Sequence, residues 1–273
     1  MQTGINNKVA LVTASTQGIG FATAQLLAEE GAAVWVHGRG GDNLQQALDR
    51  IRQAVPGARV NGVAADLATA GGLARLLEQV PAVDILVNGY ADTGAKMLAD
   101  VRAADWDAIL HNNLATTSTI STHYLAGMLQ KGWGRMVFVS SDLALRPLPY
   151  MVPYAAAKMA QLTLARGLAE MTAGSEVTVN AVMPGFTLTE RTEGILRSTA
   201  DRHGIPFDKF MHDYFHDPAC SYVAEVGHAT SLIKRLLRPE EVANLIVYLC
   251  SQLSSGTNGT TLRCDGGATL TAL

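Results

Sequence analysis

Residues 8–37 decide the fold, and they read KVALVTASTQGIGFATAQLLAEEGAAVWVH. The run at 8–13 is short and apolar, which is typical of a strand buried on both faces. A turn with two glycines follows, then a helical pattern over 19–30 that ends at Gly31, and a second apolar run over 33–37. Strand, turn, helix and strand in this order predict the start of a βαβ unit. Glycines before a helix let the backbone approach a pyrophosphate, so the turn is a candidate nucleotide site.

The same alternation continues along the chain. Further strands are predicted over 59–64, 84–88, 135–139, 177–182 and 261–264, and further helices over 42–54, 68–79, 105–129, from Tyr154 to about 171, and over 239–250. Strands separated by helices predict a parallel sheet covered on both faces, and right-handed crossovers make it doubly wound. We therefore expect a seven-stranded Rossmann fold. With no repeat or linker, the 273 residues are expected to form a single domain.

Composition excludes several classes of protein. The chain is 48% apolar and 16% charged, which is typical of a globular protein. A net charge of −3 without a basic block argues against a nucleic-acid partner. The N-terminus lacks the pattern of a signal peptide, and no apolar run is long enough to span a membrane. Cys220, Cys250 and Cys264 show no metal-binding or redox spacing, so free thiols in a cytoplasmic protein are expected.

Tyr154 and Lys158 are candidate catalytic residues. Four positions apart on a helix, they lie on the same face. A phenol has a pKa of about 10, and a neighbouring ammonium is expected to lower it. The spacing therefore predicts that Tyr154, assisted by Lys158, donates and accepts a proton near neutral pH. Ser141 follows a predicted strand and is a candidate to hold a substrate oxygen.

Cofactor choice is predicted from the end of the second strand. Ligands of such sheets bind at the carboxyl ends of the strands, where Thr13, His37, Asp66 and Asn88 are placed. An acidic residue after the second strand would bind the ribose hydroxyls of NAD, but Arg39 stands there. A guanidinium matches a 2′-phosphate in charge and geometry, which favours NADP(H) over NAD(H). A solvated loop arginine is the alternative.

Together these motifs resemble those of the classical short-chain dehydrogenases/reductases (SDR) over residues 8–267. The glycine turn at 13–20 matches, with Ala14 in place of the first glycine, and the stretch from Asn88 through Gly89 and Tyr90 matches only partly. The other matching residues are Asp66, Leu67, Asn113, Ser141, Tyr154, Lys158, Pro184, Gly185, Thr189, the stretch from Arg238, and Asp265 with the two glycines after it. The resemblance implies an enzyme that moves hydride between a nicotinamide and a carbonyl or alcohol carbon.

The resemblance also assigns expected roles. Tyr154 would exchange the proton, Ser141 would hydrogen-bond the substrate oxygen, Lys158 would bind the nicotinamide ribose, and Asn113 would hold a water linked to Lys158. The expected cofactor contacts are Thr13, Ser15, Gln17, Gly18, Ile19, Gly20, Arg39, Asp66, Leu67, Asn88, Gly89, Tyr154, Lys158, Pro184, Gly185, Thr187 and Thr189. The substitution at Ala14 is expected to be tolerated.

Residues 186–237 correspond to a substrate lid in that family. Their apolar stripe fits either a substrate wall or a helix packed on its own domain; it comprises Phe207, Phe210, Met211, Tyr214 and Phe215. His212 and His216 are four apart, but Asp213 stands where a zinc protease would need glutamate, and no metal site is predicted.

Two functions compete. The first is an NADP-dependent carbonyl reductase or alcohol dehydrogenase, with 3-oxoacyl compounds and sugars or polyols both open as substrates. Arg146 alone is little support for an acyl-carrier partner, which favours a small-molecule or apolar carbonyl substrate. The second is a catalytically silent NADP-binding sensor or scaffold, suggested by Ala14 and Gly89. The resemblance further implies a homotetramer or homodimer.

Overall fold

Seven parallel strands form one sheet in the part of the chain that the structure describes. The computed structural model describes residues 3–217, 220–224 and 231–271. The strands are β1 (Val9–Val12), β2 (Ala33–Gly38), β3 (Val60–Ala64), β4 (Ile85–Asn88), β5 (Trp133–Val139), β6 (Glu176–Pro184) and β7 (Thr261–Cys264). Their order is β3-β2-β1-β4-β5-β6-β7, and each neighbouring pair is parallel. The predicted doubly wound Rossmann fold is confirmed.

The helices cover both faces of this sheet. They are α1 (Gly18–Glu29), α2 (Asp42–Ala54), α3 (Ala70–Gln79), α4 (Ala103–Leu110), α5 (Thr116–Lys131), α6 (Val152–Glu170), α7 (Glu190–Arg202), α8 (Phe207–His216), α9 (Ser221–Ala224) and α10 (Pro239–Cys250). Side chains of successive strand residues point to opposite faces, and so Leu11 and Val12 belong to two different cores. One core includes residues of α1, α2 and α10, and the other includes residues of α3, α5 and α6. Burial on both faces explains why the strands read as continuous apolar runs.

The prediction of one unbroken helix over 105–129 is wrong. The helix begins at Ala103, widens into a π-helical turn at His111–Ala115, and continues as α5. Asn113 lies in this wide turn and is fully buried. Its side-chain amide donates to the carbonyls of Ile109 (3.0 Å) and Asp92 (2.9 Å) and accepts from the Asp92 amide. Those contacts hold α4 against the segment after β4.

Segment 186–237 packs largely on itself. Leu196, Phe210, Tyr214, Phe215 and Leu236 are buried together in a separate small core. Residues 218–219 and 225–230 of this segment lie outside the described residues. Within 3–217, 220–224 and 231–271, no helix combines the length and apolarity needed to cross a membrane.

Candidate active site

A cavity of about 580 Å³ opens at the carboxyl ends of the strands. The strand order reverses between β1 and β4, and parallel sheets of this kind bind ligands at such a switch point. Twelve of the residues predicted for the site line this one cavity: Gln17, Gly18, Ile19, Gly20, Gly89, Ser141, Tyr154, Lys158, Pro184, Gly185, Thr187 and Thr189. The glycine turn and the Ser-Tyr-Lys set, distant in sequence, therefore share one space.

Three other predicted residues are buried beneath the cavity, and their side chains bind the backbone or side chains around the loops that border it. The Thr13 hydroxyl accepts from the amides of Gly89 and Tyr90, each at 3.0 Å. The Ser15 hydroxyl donates to the Val12 carbonyl at 2.6 Å. The Asn88 side chain donates to the Ser121 hydroxyl at 2.8 Å. They shape the loops after β1 and β4 and do not line the cavity.

The shape of the glycine turn depends on His37, which the sequence analysis placed at this edge of the sheet without giving it a role. Ala14 stands in the left-handed region at φ 53, where a side chain costs about 1–2 kcal/mol. Its amide donates to the His37 Nδ1 atom at 2.9 Å. The Ser15 amide donates to the His37 carbonyl, and the His37 amide donates to the Ser15 hydroxyl. Three bonds to His37 thus hold the turn in the strained shape.

His37 has one tautomer in this arrangement. Its Nδ1 must accept from Ala14, so Nε2 carries the proton and donates to the Ala65 carbonyl at 2.9 Å. The side chain is 1% exposed. Burial lowers the pKa of His37, against the opposing effects of the Ala65 carbonyl and of Asp66. The ring is therefore neutral in the folded protein near neutral pH.

The first turn of α1 already contacts an anionic group. The Gly18 amide donates to a carboxylate oxygen of Glu190 at 3.2 Å. Backbone amides at a helix N-terminus favour negative charge. Gly20 is packed so closely that a Cβ atom would lie 2.3 Å from the Ala14 carbonyl oxygen. The turn is therefore tight; Gly18 and Gly20 line the cavity, and the Gly18 amide donates to the first residue of α7.

Tyr154 and Ser141 lie together on the opposite wall. Their side chains are hydrogen-bonded, and the Ser141 hydroxyl also accepts from the Leu143 amide at 3.2 Å. Burial raises the pKa of Tyr154 to about 12, with smaller opposing effects of the Ser141 hydrogen bond and of Arg191. The phenol consequently keeps its proton at neutral pH.

The expectation that Lys158 lowers the pKa of Tyr154 is wrong in this structure. Lys158 is 1% exposed, and burial lowers its own pKa to about 7. Its Nζ atom lies 5.6 Å from the centroid of the Tyr154 ring and donates instead to the Val139 carbonyl at 2.8 Å. Helical spacing predicted the proximity of the two groups, whereas burial decides the sign of the shift.

Asn113 and Lys158 are connected by a residue that the sequence analysis missed. Lys158 Nζ donates to Gln161 Oε1 at 3.0 Å, and Gln161 Nε2 donates to the Asn113 carbonyl at 2.5 Å. Asn113 is thus connected to Lys158 through its main-chain carbonyl, while its side chain bonds Asp92 in the segment after β4. Gln161 follows Lys158 by three positions, a spacing that places both on one helix face and was the available signal.

Three residues predicted to contact the cofactor, Arg39, Asp66 and Leu67, do not line this cavity. Arg39 and Asp66 are exposed just past β2 and β3, whereas Leu67 is buried. Burial raises the pKa of Tyr90, Asp66 and Asp92 raise it further, and Arg39 lowers it. Tyr90 therefore lies within the electrostatic reach of both Arg39 and Asp66.

The wall of the cavity beside the 186–237 segment has both apolar and charged side chains. Phe186 and Ile195 line it together with Tyr214 and Phe215 of the apolar stripe. The other three residues of the stripe, Phe207, Phe210 and Met211, pack in the small core of the segment. The charged residues that line the cavity are Asp142, Arg146, Arg191 and Arg235. Burial raises the pKa of Asp142, and Arg146 pairs with it at 3.6 Å.

His212 and His216 lie away from the Ser-Tyr-Lys set, in a neighbouring surface cavity. Their rings stack with centroids 4.7 Å apart, and His216 Nδ1 contacts the His212 carbonyl. Among the described residues, no group of three or more His, Cys, Asp or Glu side chains is placed to hold a metal ion.

Comparison with known proteins identifies the family. A family model described as short chain dehydrogenase matches residues 8–199. The chain belongs to the short chain dehydrogenase family. A second model, described as enoyl-(acyl carrier protein) reductase, matches residues 217–269. An uncharacterized oxidoreductase of Bacillus subtilis, YvrD, is 40% identical over 271 residues, 98% of each chain.

Proteins of named activity are similar to this chain over nearly its whole length. D-beta-hydroxybutyrate dehydrogenase of Cupriavidus necator is 31% identical, covering 96% of this chain and 98% of that protein. L-sorbose reductase of Gluconobacter frateurii, solved with NADPH and L-sorbose, superposes with a TM-score of 0.90 at 28% identity, covering 99% and 100% of the two chains. The chain is thus an oxidoreductase of the short chain dehydrogenase family.

Proposed function

We propose that this chain is an NADPH-dependent reductase of small carbonyl compounds. The observation that carries the proposal is the shared cavity, in which Ser141, Tyr154 and Lys158 face the glycine turn. A hydride donor bound along the turn would bring its reactive end to the phenol that supplies the proton. The catalytic positions implied by the resemblance are all present.

The turn fits a nicotinamide dinucleotide. Gly18 already donates to a carboxylate, which stands in for a phosphate oxygen at the helix N-terminus. Gly20 allows the close packing that a Cβ atom would prevent. The residues that would hold the cofactor are the glycine turn, Gly89, Thr187 and Thr189. When bound, the cofactor supplies or accepts the hydride.

The residues of the chain supply the proton chemistry. Tyr154 is protonated at neutral pH, because burial raises its pKa to about 12, and is therefore placed to protonate a carbonyl oxygen. Ser141 bonds the phenol and would hold the same oxygen, stabilising its developing charge. Lys158 lines the same cavity and is held there by the Val139 carbonyl and the Gln161 side chain. The protonated phenol is the form that a reduction requires, because it gives its proton to the carbonyl oxygen.

Arg39 supports the preference for NADPH. It is exposed just past β2 and close enough to Tyr90 to lower the pKa of that phenol. Loss of a charge-assisted contact with a 2′-phosphate should weaken NADPH binding tenfold or more. Fluorescence titration of Arg39→Ala should show that loss for NADPH and none for NADH. Arg75→Ala, an exposed arginine on α3, is the matched control; tighter NADH binding by the wild type would refute the preference.

The charged wall supports a polar substrate. Asp142, Arg146 and Arg191 offer partners for hydroxyl or carboxylate groups, and both the hydroxybutyrate dehydrogenase and the sorbose reductase carry names of polar substrates. We propose a small ketone with hydroxyl or carboxyl groups. A panel of a ketose, a 2-oxo or 3-oxo acid, an aliphatic ketone and a 3-oxoacyl thioester, compared by kcat/KM with NADPH, tests this; highest activity on the aliphatic ketone would contradict it.

Tyr154→Phe separates an enzyme from a silent scaffold. An enzyme should lose at least a hundredfold in kcat and retain NADPH affinity. Tyr248→Phe, which alters an exposed tyrosine, should leave both unchanged. Equal turnover in Tyr154→Phe and wild type would refute the assigned role.

We also propose that the chain folds as one domain with residues 186–237 as its substrate lid. The homotetramer or homodimer stays a prediction. Scattering-coupled gel filtration measures the mass, and a monomer at micromolar concentration would contradict it.

A further inference from the structure

Gln161 is a buried polar side chain to which the proposed mechanism gives no role. It lies on α6 one turn after Lys158 and is 0% exposed. Its oxygen accepts from Lys158 Nζ at 3.0 Å, and its nitrogen donates to the Asn113 carbonyl at 2.5 Å. Both ends of the amide are thus used, one on α6 and one on the π-helical turn between α4 and α5.

The neighbours fix the orientation of this amide. The ammonium form of Lys158 has only donors, so it requires the oxygen of Gln161. The Asn113 carbonyl has only acceptor capacity, so it requires the nitrogen. A flipped amide would oppose donor to donor and acceptor to acceptor, at a large cost in a buried site. Gln161 therefore faces Lys158 as an acceptor alone.

We propose that Gln161 is a positioning residue, which clamps the Lys158 ammonium by a direct side-chain bridge to the main-chain carbonyl of Asn113. The resemblance implied a water between Asn113 and Lys158, and the Gln161 amide spans that route itself. An amide in this orientation has no hydroxyl proton to pass on, so the bridge orients Lys158 rather than relaying protons. The inference rests on the proposed function for its catalytic meaning.

The bridge has an electrostatic consequence. A hydrogen-bond acceptor beside an ammonium favours the charged form of that ammonium. Both the Gln161 oxygen and the Val139 carbonyl accept from Lys158 and have this effect. Tyr154 lies on the same helix and faces Lys158. The other charged groups on this side of the cavity are Asp142 after β5, Arg191 on α7 and Asp265 after β7. Burial, and none of these charges, lowers the pKa of Lys158.

The test measures the pKa of Lys158 directly. Whole protein carrying ¹³C-lysine is titrated by NMR, and Lys158→Met identifies the signal among the six lysines. Gln161→Met removes the acceptor with similar volume, and Gln161→Glu replaces it with a charged one. Thr117→Val is the matched control. The buried Thr117 hydroxyl donates to the same Asn113 carbonyl at 2.7 Å, but it is not part of the bridge to Lys158.

We expect Gln161→Met to lower the pKa of Lys158 by about one unit and Gln161→Glu to raise it, while Thr117→Val leaves it unchanged. Should Gln161→Met unfold, the rise in Gln161→Glu decides. An unshifted pKa in either variant, or a shift in Thr117→Val as large as in Gln161→Met, would overturn the proposal.

Kinetics then separate this inference from the proposed function. The pH limb of kcat/KM for NADPH-dependent reduction should move in the same direction as the NMR titration in both Gln161 variants. A merely structural defect would lower the rate at every pH and leave the limb in place, which would count against the clamp. No reduction of any carbonyl by the wild type would refute the proposed function, whereas the NMR result would still decide whether Gln161 supports the charge on Lys158.

Discussion

Replacing His37 with asparagine should remove a pH dependence from both folding and cofactor binding. In the folded protein Nδ1 accepts from the Ala14 amide, and protonation of that nitrogen would place a donor against a donor. Asparagine keeps an acceptor near that position and cannot titrate. Because His37 holds a turn with a residue at φ 53, the same proton would disturb the proposed cofactor site.

The sign and size follow from linkage. Burial lowers the pKa of folded His37 below the reference value of 6.5, so below that pH the unfolded chain binds more protons than the folded one. Stability is therefore present above about pH 6.5 and is lost as the pH falls through it. If the folded ring stays neutral, one such group removes at most about 1.4 kcal/mol between about pH 7.5 and about pH 5.5.

Urea unfolding of wild type and His37→Asn across that range measures the effect. The free energy of unfolding of the wild type should fall by about 1 kcal/mol more than that of His37→Asn between about pH 7.5 and about pH 5.5. Only the wild type loses the contribution of the neutral ring. His123→Asn, which replaces an exposed histidine, should follow the wild type at every pH. NADPH affinity, titrated in parallel, should fall more steeply with acid in the wild type than in His37→Asn.

Parallel stability curves for wild type and His37→Asn would refute the reasoning, since they would show that His37 titrates alike in folded and unfolded chains. A normal titration of the His37 ring by NMR in the folded protein would do the same. If the stability curves converge but the NADPH affinities do not, the ring supports the fold without controlling the glycine turn.

Three further changes test other parts of the site. Glu190→Gln removes a negative charge from the amide of Gly18 and should tighten NADPH binding about three- to tenfold in low salt; weaker binding would contradict a phosphate at this position. Gly20→Ala places a Cβ atom 2.3 Å from the Ala14 oxygen and should cost about 1–3 kcal/mol in urea unfolding, whereas an unchanged midpoint would show that the turn can move. Cys250 is fully buried and burial raises its pKa to about 12, so Cys250→Ala should not change the number of thiols that react with Ellman's reagent before unfolding; one thiol fewer would contradict this burial.

The fold was predictable because its elements carry local signals. Strands buried on both faces are apolar throughout, and α2 and α10 have the predicted bounds. The failure over 105–129 has a physical origin. A π-helical turn differs from an α-helix by one residue per turn, and the contacts that stabilise it come from Asp92, about 20 positions away. Asn112 and Asn113 lie in this turn, and asparagine is a poor residue for a helix interior, but that propensity does not specify a π-helical turn.

The site was predictable as a set of positions and less so as a set of interactions. The residues of the glycine turn and Ser141, Tyr154 and Lys158 were found because their spacing is conspicuous. The role of His37, which the sequence placed at this edge, and the part played by Gln161 were missed because their partners are distant. The Ala14 contact spans 23 positions and the Asn113 contact spans 48. A sequence pattern contains neither the tautomer of a ring nor the orientation of an amide.

Burial explains why the electrostatics of the Tyr-Lys pair differ from the expectation. A pair four positions apart suggests that the ammonium lowers the pKa of the phenol, but both groups lose water in the cavity wall, which disfavours the charged form of each. The two pKa values therefore shift in opposite directions, up to about 12 for Tyr154 and down to about 7 for Lys158. Neutral amide oxygens of Val139 and Gln161 take two of the three donors of Lys158. These are the two acceptors of Lys158 among the described residues, and Lys158 lines the cavity. A ligand that accepts the third proton of the ammonium would favour the charge that burial opposes.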